Sequence, residues 1–181
     1  MQSVTSAGAR RRLVASPDVI TLVLGGARSG KSAVAEAVAT RLPPPMTYVA
    51  TGFATDDDMA ARIAAHRRRR PAAWGTVEAG ADLAAALEAL PDGTVLVDTL
   101  GTWVAAHADL RPDVHRLLAA LLARRGDTVI VSDEVGLGVH PSTEVGRRFR
   151  DVLGDVNTAV ADAAGEVLLV VAGRVLPLVR P

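Results

Sequence analysis

Lys31 is the sole lysine among 20 basic residues, and it stands in the run Gly25-Gly26-Ala27-Arg28-Ser29-Gly30-Lys31-Ser32. That run fits G-x-x-x-x-G-K-[ST] at every fixed position. Its glycines let successive backbone N–H groups turn inward around an anion, and a helix starting behind them adds partial positive charge. A compact ammonium on a flexible stem reaches the β and γ phosphates of a nucleotide, and the Ser32 hydroxyl can ligate Mg²⁺. The spacing describes a site for a nucleoside triphosphate. The other nineteen basic residues are all Arg, beside 33 Ala, the mark of a compositional bias that exchanges Lys for Arg at little cost on a solvated surface. A lysine at this position, in such a chain, has a chemical reason to be there.

Carboxylates that would complete the site follow apolar runs. Val95-Leu96-Val97-Asp98 reads as an apolar strand ending in an acid, as a second magnesium partner requires. An ordinary strand-end Asp is the competing reading. Ser132-Asp133-Glu134-Val135-Gly136-Leu137-Gly138 places two more carboxylates after another apolar run, at the strand end where parallel sheets bind ligands. Either could position magnesium-bound water or accept a proton from a substrate hydroxyl. A polar loop in which Glu134 caps a helix is the alternative.

A third cluster is cationic. If Asp56 to Arg70 is helical, Met59 and Ile63 form an apolar stripe while Arg62, His66 and Arg70 line up on an adjoining face. His66 begins the run His66-Arg67-Arg68-Arg69-Arg70. A neutral imidazole is a competent nucleophile toward phosphorus, and guanidinium groups beside it would neutralise a triphosphate. Two other readings stay open from the residues alone: a solvated basic helix end, and an Arg patch that docks RNA or a phosphorylated or acidic partner. His107, His115 and His140 lack acidic or histidine neighbours at metal-ligand spacing and read as local structural residues.

The elements that must position these groups alternate. Expected strands are Val19–Leu24, Met46–Ala50, a short one near Thr76–Val77, Thr94–Val97, Thr128–Ser132 and Glu166–Ala172. Expected helices are Lys31–Arg41, Asp56–Arg70 (its start capped by Asp56-Asp57-Asp58, its end closed by Pro71), Ala81–Leu90, Pro112–Arg125 and Thr143–Ala164. Strand–helix alternation implies an α/β fold with a mainly parallel central sheet flanked by helices.

At 181 residues, with 49% apolar and 22% charged, the chain reads as one compact domain over residues 19–181. Residues 1–18 read as a disordered tail; Asp18 interrupts the apolar core that a secretory signal would need after Arg10-Arg11-Arg12. Net charge is zero, which argues against a surface devoted to nucleic acid. The longest stretch without a formal charge, Leu42 to Thr55, holds 14 residues and three prolines, too short and broken for a membrane span. The absence of cysteine excludes disulfides, thiolate metal sites and a Cys nucleophile. A cytoplasmic location is expected. Trp74, Phe53 and Trp103 are available to stack on a base, with a core position as the competing role for each.

Taken in order, these segments resemble a known family. They are the Gly25 to Ser32 loop, Tyr48-Val49-Ala50-Thr51, and Met59-Ala60-Ala61-Arg62-Ile63 leading to His66. They continue with Pro71 to Trp74, Glu134-Val135-Gly136-Leu137-Gly138 with Pro141, and Arg148-Phe149-Arg150-Asp151 leading to Val156-Asn157. Together, over Val19 to Ala172, they look like the bifunctional adenosylcobinamide kinase / adenosylcobinamide-phosphate guanylyltransferase family of cobalamin biosynthesis. The resemblance implies a RecA-like P-loop NTPase fold and two reactions. One phosphorylates adenosylcobinamide with ATP or GTP; the other passes GMP from GTP, through a GMP-histidine matched by His66, to adenosylcobinamide phosphate. It implies that Gly25, Gly26, Ala27, Arg28, Ser29, Gly30, Lys31 and Ser32 bind the triphosphate. Thr51, Gly52 and Phe53 and Arg67, Arg68 and Arg69 lie on the nucleotide site. Glu78 and Asp98 contact nucleotide or Mg²⁺, with Ser32 and Asp98 as its protein ligands. A homotrimer with substrate sites near subunit contacts is implied too. Asp98 stands where the family shows Glu, Asp133 where Asn is common, and the P-loop follows a tail where it usually opens the chain. Two competing classes remain: a monofunctional P-loop kinase of a small hydroxyl substrate, and a nucleotide-dependent binding protein.

Overall fold

The structure, a computed structural model, describes residues 18–52 and 71–180. Seven strands form one sheet: β1 (Ile20–Gly25), β2 (Met46–Ala50), β3 (Gly75–Glu78), β4 (Thr94–Asp98), β5 (Thr128–Asp133), β6 (Glu166–Val171) and β7 (Arg174–Leu178). Their order is β3-β2-β4-β5-β1-β6-β7, with β7 alone antiparallel to its neighbour. The described helices are α1 (Lys31–Ala39), α2 (Leu83–Ala89), α3 (Leu100–Ala105), α4 (Val114–Ala123) and α5 (Glu144–Ala163).

Period-two alternation sorts the strand side chains into two cores. Leu22, Leu24, Val95, Val97 and Ile130 face a core shared with α2 to α5. Val23, Leu96, Val129 and Val131 face the opposite core, where α1 contributes Ala35 and Ala39. The same parity carries on to the strand ends. Asp98 follows Leu96, and Asp133 follows Val129 and Val131, so both carboxylates emerge on the side of α1. Ser132 follows Ile130 and emerges on the side of α5.

The central strands are apolar on both faces, as strands covered by helices on both sides must be. α5 is amphipathic, burying Leu153, Val156 and Val160 at helical spacing; each such side chain contributes about 1.5–3 kcal/mol on burial. Helices α2, α4 and α5 start on side-chain caps from Asp82, Asp113 and Thr143.

Three outcomes differ from the sequence reading. Helix α3 has no counterpart among the expected elements, because six residues are too few to establish a period; its signal is the capping box of Thr99 with Thr102. Strand β7 is also additional. It follows a two-residue turn at Ala172 (φ 50°) and Gly173 (φ 71°), a left-handed pair suited to a tight hairpin, and its residues are all exposed, so no burial pattern announces it. Helix boundaries retreat by one to two residues at most ends, where the terminal turns fray. The expected tail apart from Asp18, and the expected helix from Asp56 to Arg70, lie outside the described residues.

Candidate functional site: a phosphate loop at the carboxyl end of the sheet

The loop between β1 and α1 leaves the carboxyl end of the parallel sheet next to β5, which separates it from β4. Gly25 pairs level with Asp133 on one side and Val170 on the other. A Cβ at Gly25 would collide with the Ser29 hydroxyl and approach the Val170 carbonyl to 2.8 Å, so only glycine fits there. Arg28 (φ 57°) and Gly30 (φ 93°) take left-handed conformations that curl the loop. For the arginine this costs on the order of 1 kcal/mol, the kind of local strain that collects at binding loops. Ser29 is buried; its N–H donates to the Gly26 carbonyl (3.2 Å), and its carbonyl accepts from Gly173 N–H in the β6–β7 turn (2.8 Å). The hairpin that the sequence reading missed therefore braces the phosphate loop.

Helix α1 differs from the other described helices: its N-cap is Gly30 and brings no side-chain acceptor. Among the described residues the Ser29 hydroxyl takes the Lys31 N–H at 3.3 Å, and a first turn without a side-chain cap from its N-cap residue suits an anion.

Lys31 Nζ ion-pairs with Asp133 Oδ1 at 2.7 Å and lies 3.5 Å from the Gly26 carbonyl. Ser32 Oγ lies 3.5 Å from Asp98 Oδ1. Asp98 is only 9% exposed, and its Oδ2 accepts a 3.0 Å bond from the buried Tyr48 hydroxyl. Tyr48 pairs with Leu96 in the β2–β4 ladder, so its ring shares the face of Asp98 and reaches one pleat along. Among the described residues no three His, Cys, Asp or Glu gather as a metal-ligand group. A hydroxyl and one carboxylate side by side suit Mg²⁺, which keeps waters and takes its remaining ligands from nucleotide phosphates. The donor set fits that ion.

Behind the strand ends lies a second layer of polar contacts. Ser132 Oγ bonds Asn157 Oδ1 on α5 (2.6 Å), and Asn157 Nδ2 donates to the Asp133 carbonyl (3.0 Å). The Glu134 N–H donates to the Gly25 carbonyl (3.0 Å), while its carboxylate accepts from Gly136 N–H (2.7 Å) within its own loop.

Thr51 is 1% exposed, and its hydroxyl donates to the Thr99 carbonyl (2.6 Å) and accepts from the Thr99 N–H (3.0 Å). It joins the crest of β2 to the start of α3. Gly52 packs against Thr102, and Glu78 is an exposed residue at the end of β3, level with Ala50. Phe53, His66, Arg67, Arg68 and Arg69 lie outside the described residues. Trp103 is core, its indole N–H donating to the Ala81 carbonyl (3.0 Å) and its ring meeting His107 edge-on. Trp74 packs against the α1-side core. His107 bonds the Trp103 carbonyl, and His140 lies 2.9 Å from an Arg150 nitrogen.

Tyr48 and Asn157 enter the sequence reading only as part of the family resemblance, without a site role, although both had a signal. Tyr48 is the single tyrosine of the chain, placed in a buried apolar strand. Asn157 interrupts the apolar stripe of α5 beside Val156 and Val160.

A phosphate loop on the strand next to β5, with an acidic strand end beyond it, defines a RecA-like P-loop NTPase. The family model for "Cobinamide kinase / cobinamide phosphate guanyltransferase" matches residues 21–178. The chain is 42% identical to "Bifunctional adenosylcobalamin biosynthesis protein CobP" of Pseudomonas aeruginosa over 87% of its length and 95% of the relative. It is 37% identical to "Bifunctional adenosylcobalamin biosynthesis protein CobU" of Salmonella typhimurium over 86% of its length and 97% of the relative. The namesake of Escherichia coli is equally similar. The chain belongs to the cobinamide kinase / cobinamide phosphate guanyltransferase family.

Proposed function

We propose that this chain phosphorylates adenosylcobinamide with ATP or GTP and then transfers GMP from GTP to adenosylcobinamide phosphate, giving adenosylcobinamide-GDP. The family match over residues 21–178 supports both activities, and the convergence of Lys31, Ser32, Asp98 and Asp133 at the carboxyl end of the sheet carries the reading. In the kinase step the acceptor hydroxyl oxygen bonds to the γ-phosphorus, the β–γ bridging bond breaks, and the nucleoside diphosphate leaves. The loop amides and Lys31 neutralise charge on the phosphate oxygens, and the hydroxyl proton passes to solvent. Mg²⁺ held by Ser32 and Asp98 would supply further charge neutralisation when bound.

In the transferase step an imidazole nitrogen of His66 bonds to the α-phosphorus of GTP and expels pyrophosphate. A phosphate oxygen of adenosylcobinamide phosphate then bonds to the same phosphorus and breaks the P–N bond, returning His66 to its neutral form. Arg67, Arg68 and Arg69 would offset the triphosphate charge, with Thr51, Gly52, Phe53 and Glu78 around the nucleotide. Cytoplasmic location and a homotrimer belong to the same reading, and sedimentation of the purified chain tests the trimer. Strand β7, which exposes Val175, Leu176 and Leu178 on a sheet edge, is the kind of surface that assembly covers.

The deciding experiment incubates the protein with GTP labelled at the α-phosphate. Acid-labile, base-stable label is expected on the wild type and absent from His66→Ala, which keeps its kinase activity. No label on active wild type would leave a monofunctional kinase, and undiminished label on the variant would remove His66 from the transferase step.

A further inference from the structure

The phosphate loop already holds an anion. Asp133 Oδ1 pairs with Lys31 Nζ at 2.7 Å, with the lysine side chain 12% and the aspartate 30% exposed. The carboxylate is held in place from several directions. Its Oδ2 accepts from the Thr99 hydroxyl at 3.3 Å. Its backbone carbonyl is bonded by Asn157 Nδ2, and the next N–H by the Gly25 carbonyl. Beside it lies Gly101, where any Cβ would overlap Asp133 Oδ2, so the first turn of α3 leaves room for that oxygen and nothing more. A triphosphate oxygen that reaches the ammonium has to compete with this carboxylate.

We propose that Asp133 is the internal counter-anion of Lys31: it holds the ammonium beside the loop, and nucleotide must displace it. Asp133 is thus a positioning residue that lowers affinity for substrate and product nucleotides alike. An enzyme that must release a nucleoside diphosphate from one step and pyrophosphate from another gains turnover from such a competitor, because every phosphate that leaves is replaced by a carboxylate already in place. The inference rests on the reading of Lys31 as the triphosphate ligand.

The test uses a non-hydrolysable imido analogue of ATP, titrated calorimetrically with Mg²⁺ and with chelator. Asp133→Asn keeps the shape and the Thr99 contact but removes the charge; Asp133→Ala is the second variant should the first fold poorly. Both are expected to bind the analogue about threefold or more tightly, in either condition. The kinase KM for ATP is expected to fall by more than kcat changes. Unchanged or weaker binding by a variant that melts with the wild type overturns the proposal. Weaker binding with Mg²⁺ alone does so as well, since it makes Asp133 a magnesium ligand. Lys31→Ala separates the two levels. If it binds the analogue as well as wild type, the P-loop reading fails; if it binds weakly while Asp133→Asn shows no gain, the counter-anion alone fails.

Discussion

The Tyr48 hydroxyl donates to Asp98 Oδ2 over 3.0 Å across two adjacent parallel strands, while Oδ1 of the same carboxylate faces the Ser32 hydroxyl at 3.5 Å. One oxygen is bound to the fold and the other is turned to the phosphate loop. Tyr48→Phe removes one donor from a buried carboxylate, a loss of about 1–3 kcal/mol. The variant is expected to fold, to unfold at lower urea, and to need more Mg²⁺ for half-maximal kinase activity. Denaturant titration and a magnesium titration check the two halves.

Ser32→Ala deletes one of the two protein oxygens proposed to hold Mg²⁺. Nucleotide affinity is expected to fall about tenfold or more with Mg²⁺ and to change little with chelator, because the loop amides and Lys31 remain. Equal losses in both conditions would point to a damaged loop.

With a single lysine in the chain, an amine-directed reagent is expected to modify Lys31 and the N-terminal amine alone. Mg-ATP should protect Lys31 and leave the N-terminus reactive. Peptide mass spectrometry gives both yields in one experiment.

Asn157→Leu leaves the Ser132 hydroxyl and the Asp133 carbonyl without the partners seen at 2.6 and 3.0 Å. The buried loss is about 1–3 kcal/mol for each group. Since Asp133 sets the place of Lys31, nucleotide affinity is expected to change along with the melting temperature. An unchanged affinity in a destabilised protein would confine Asn157 to stability.

Gly25→Ala puts a methyl where Ser29 and the Val170 carbonyl already stand. The loop must open to admit it, so nucleotide binding is expected to be lost with a reduced melting temperature, read by calorimetry and thermal unfolding.

The phosphate loop was legible in the sequence because its chemistry is local: eight consecutive residues fix the turn, the ammonium and the hydroxyl. So was the alternation of elements, since periodicity is a property of neighbours along the chain. The common face of Asp98 and Asp133 is set by register, since Asp98 stands level with Val131 in the β4–β5 ladder and Asp133 lies two residues further on. The order of the strands is another matter. Ser32 and Asp98 are 66 positions apart, and their meeting depends on β5 lying between β4 and β1. The same placement brings Asp133 to Lys31 and lets Asn157 support it from α5. Tyr48 becomes a partner of Asp98 only because β2 pairs with β4 in one register. Strand β7, short and exposed, had no pattern to declare it, yet its turn braces Ser29. Local spacing determines what each segment can do chemically; which segments meet is decided by burying two apolar faces at once, and that is a property of the whole sheet.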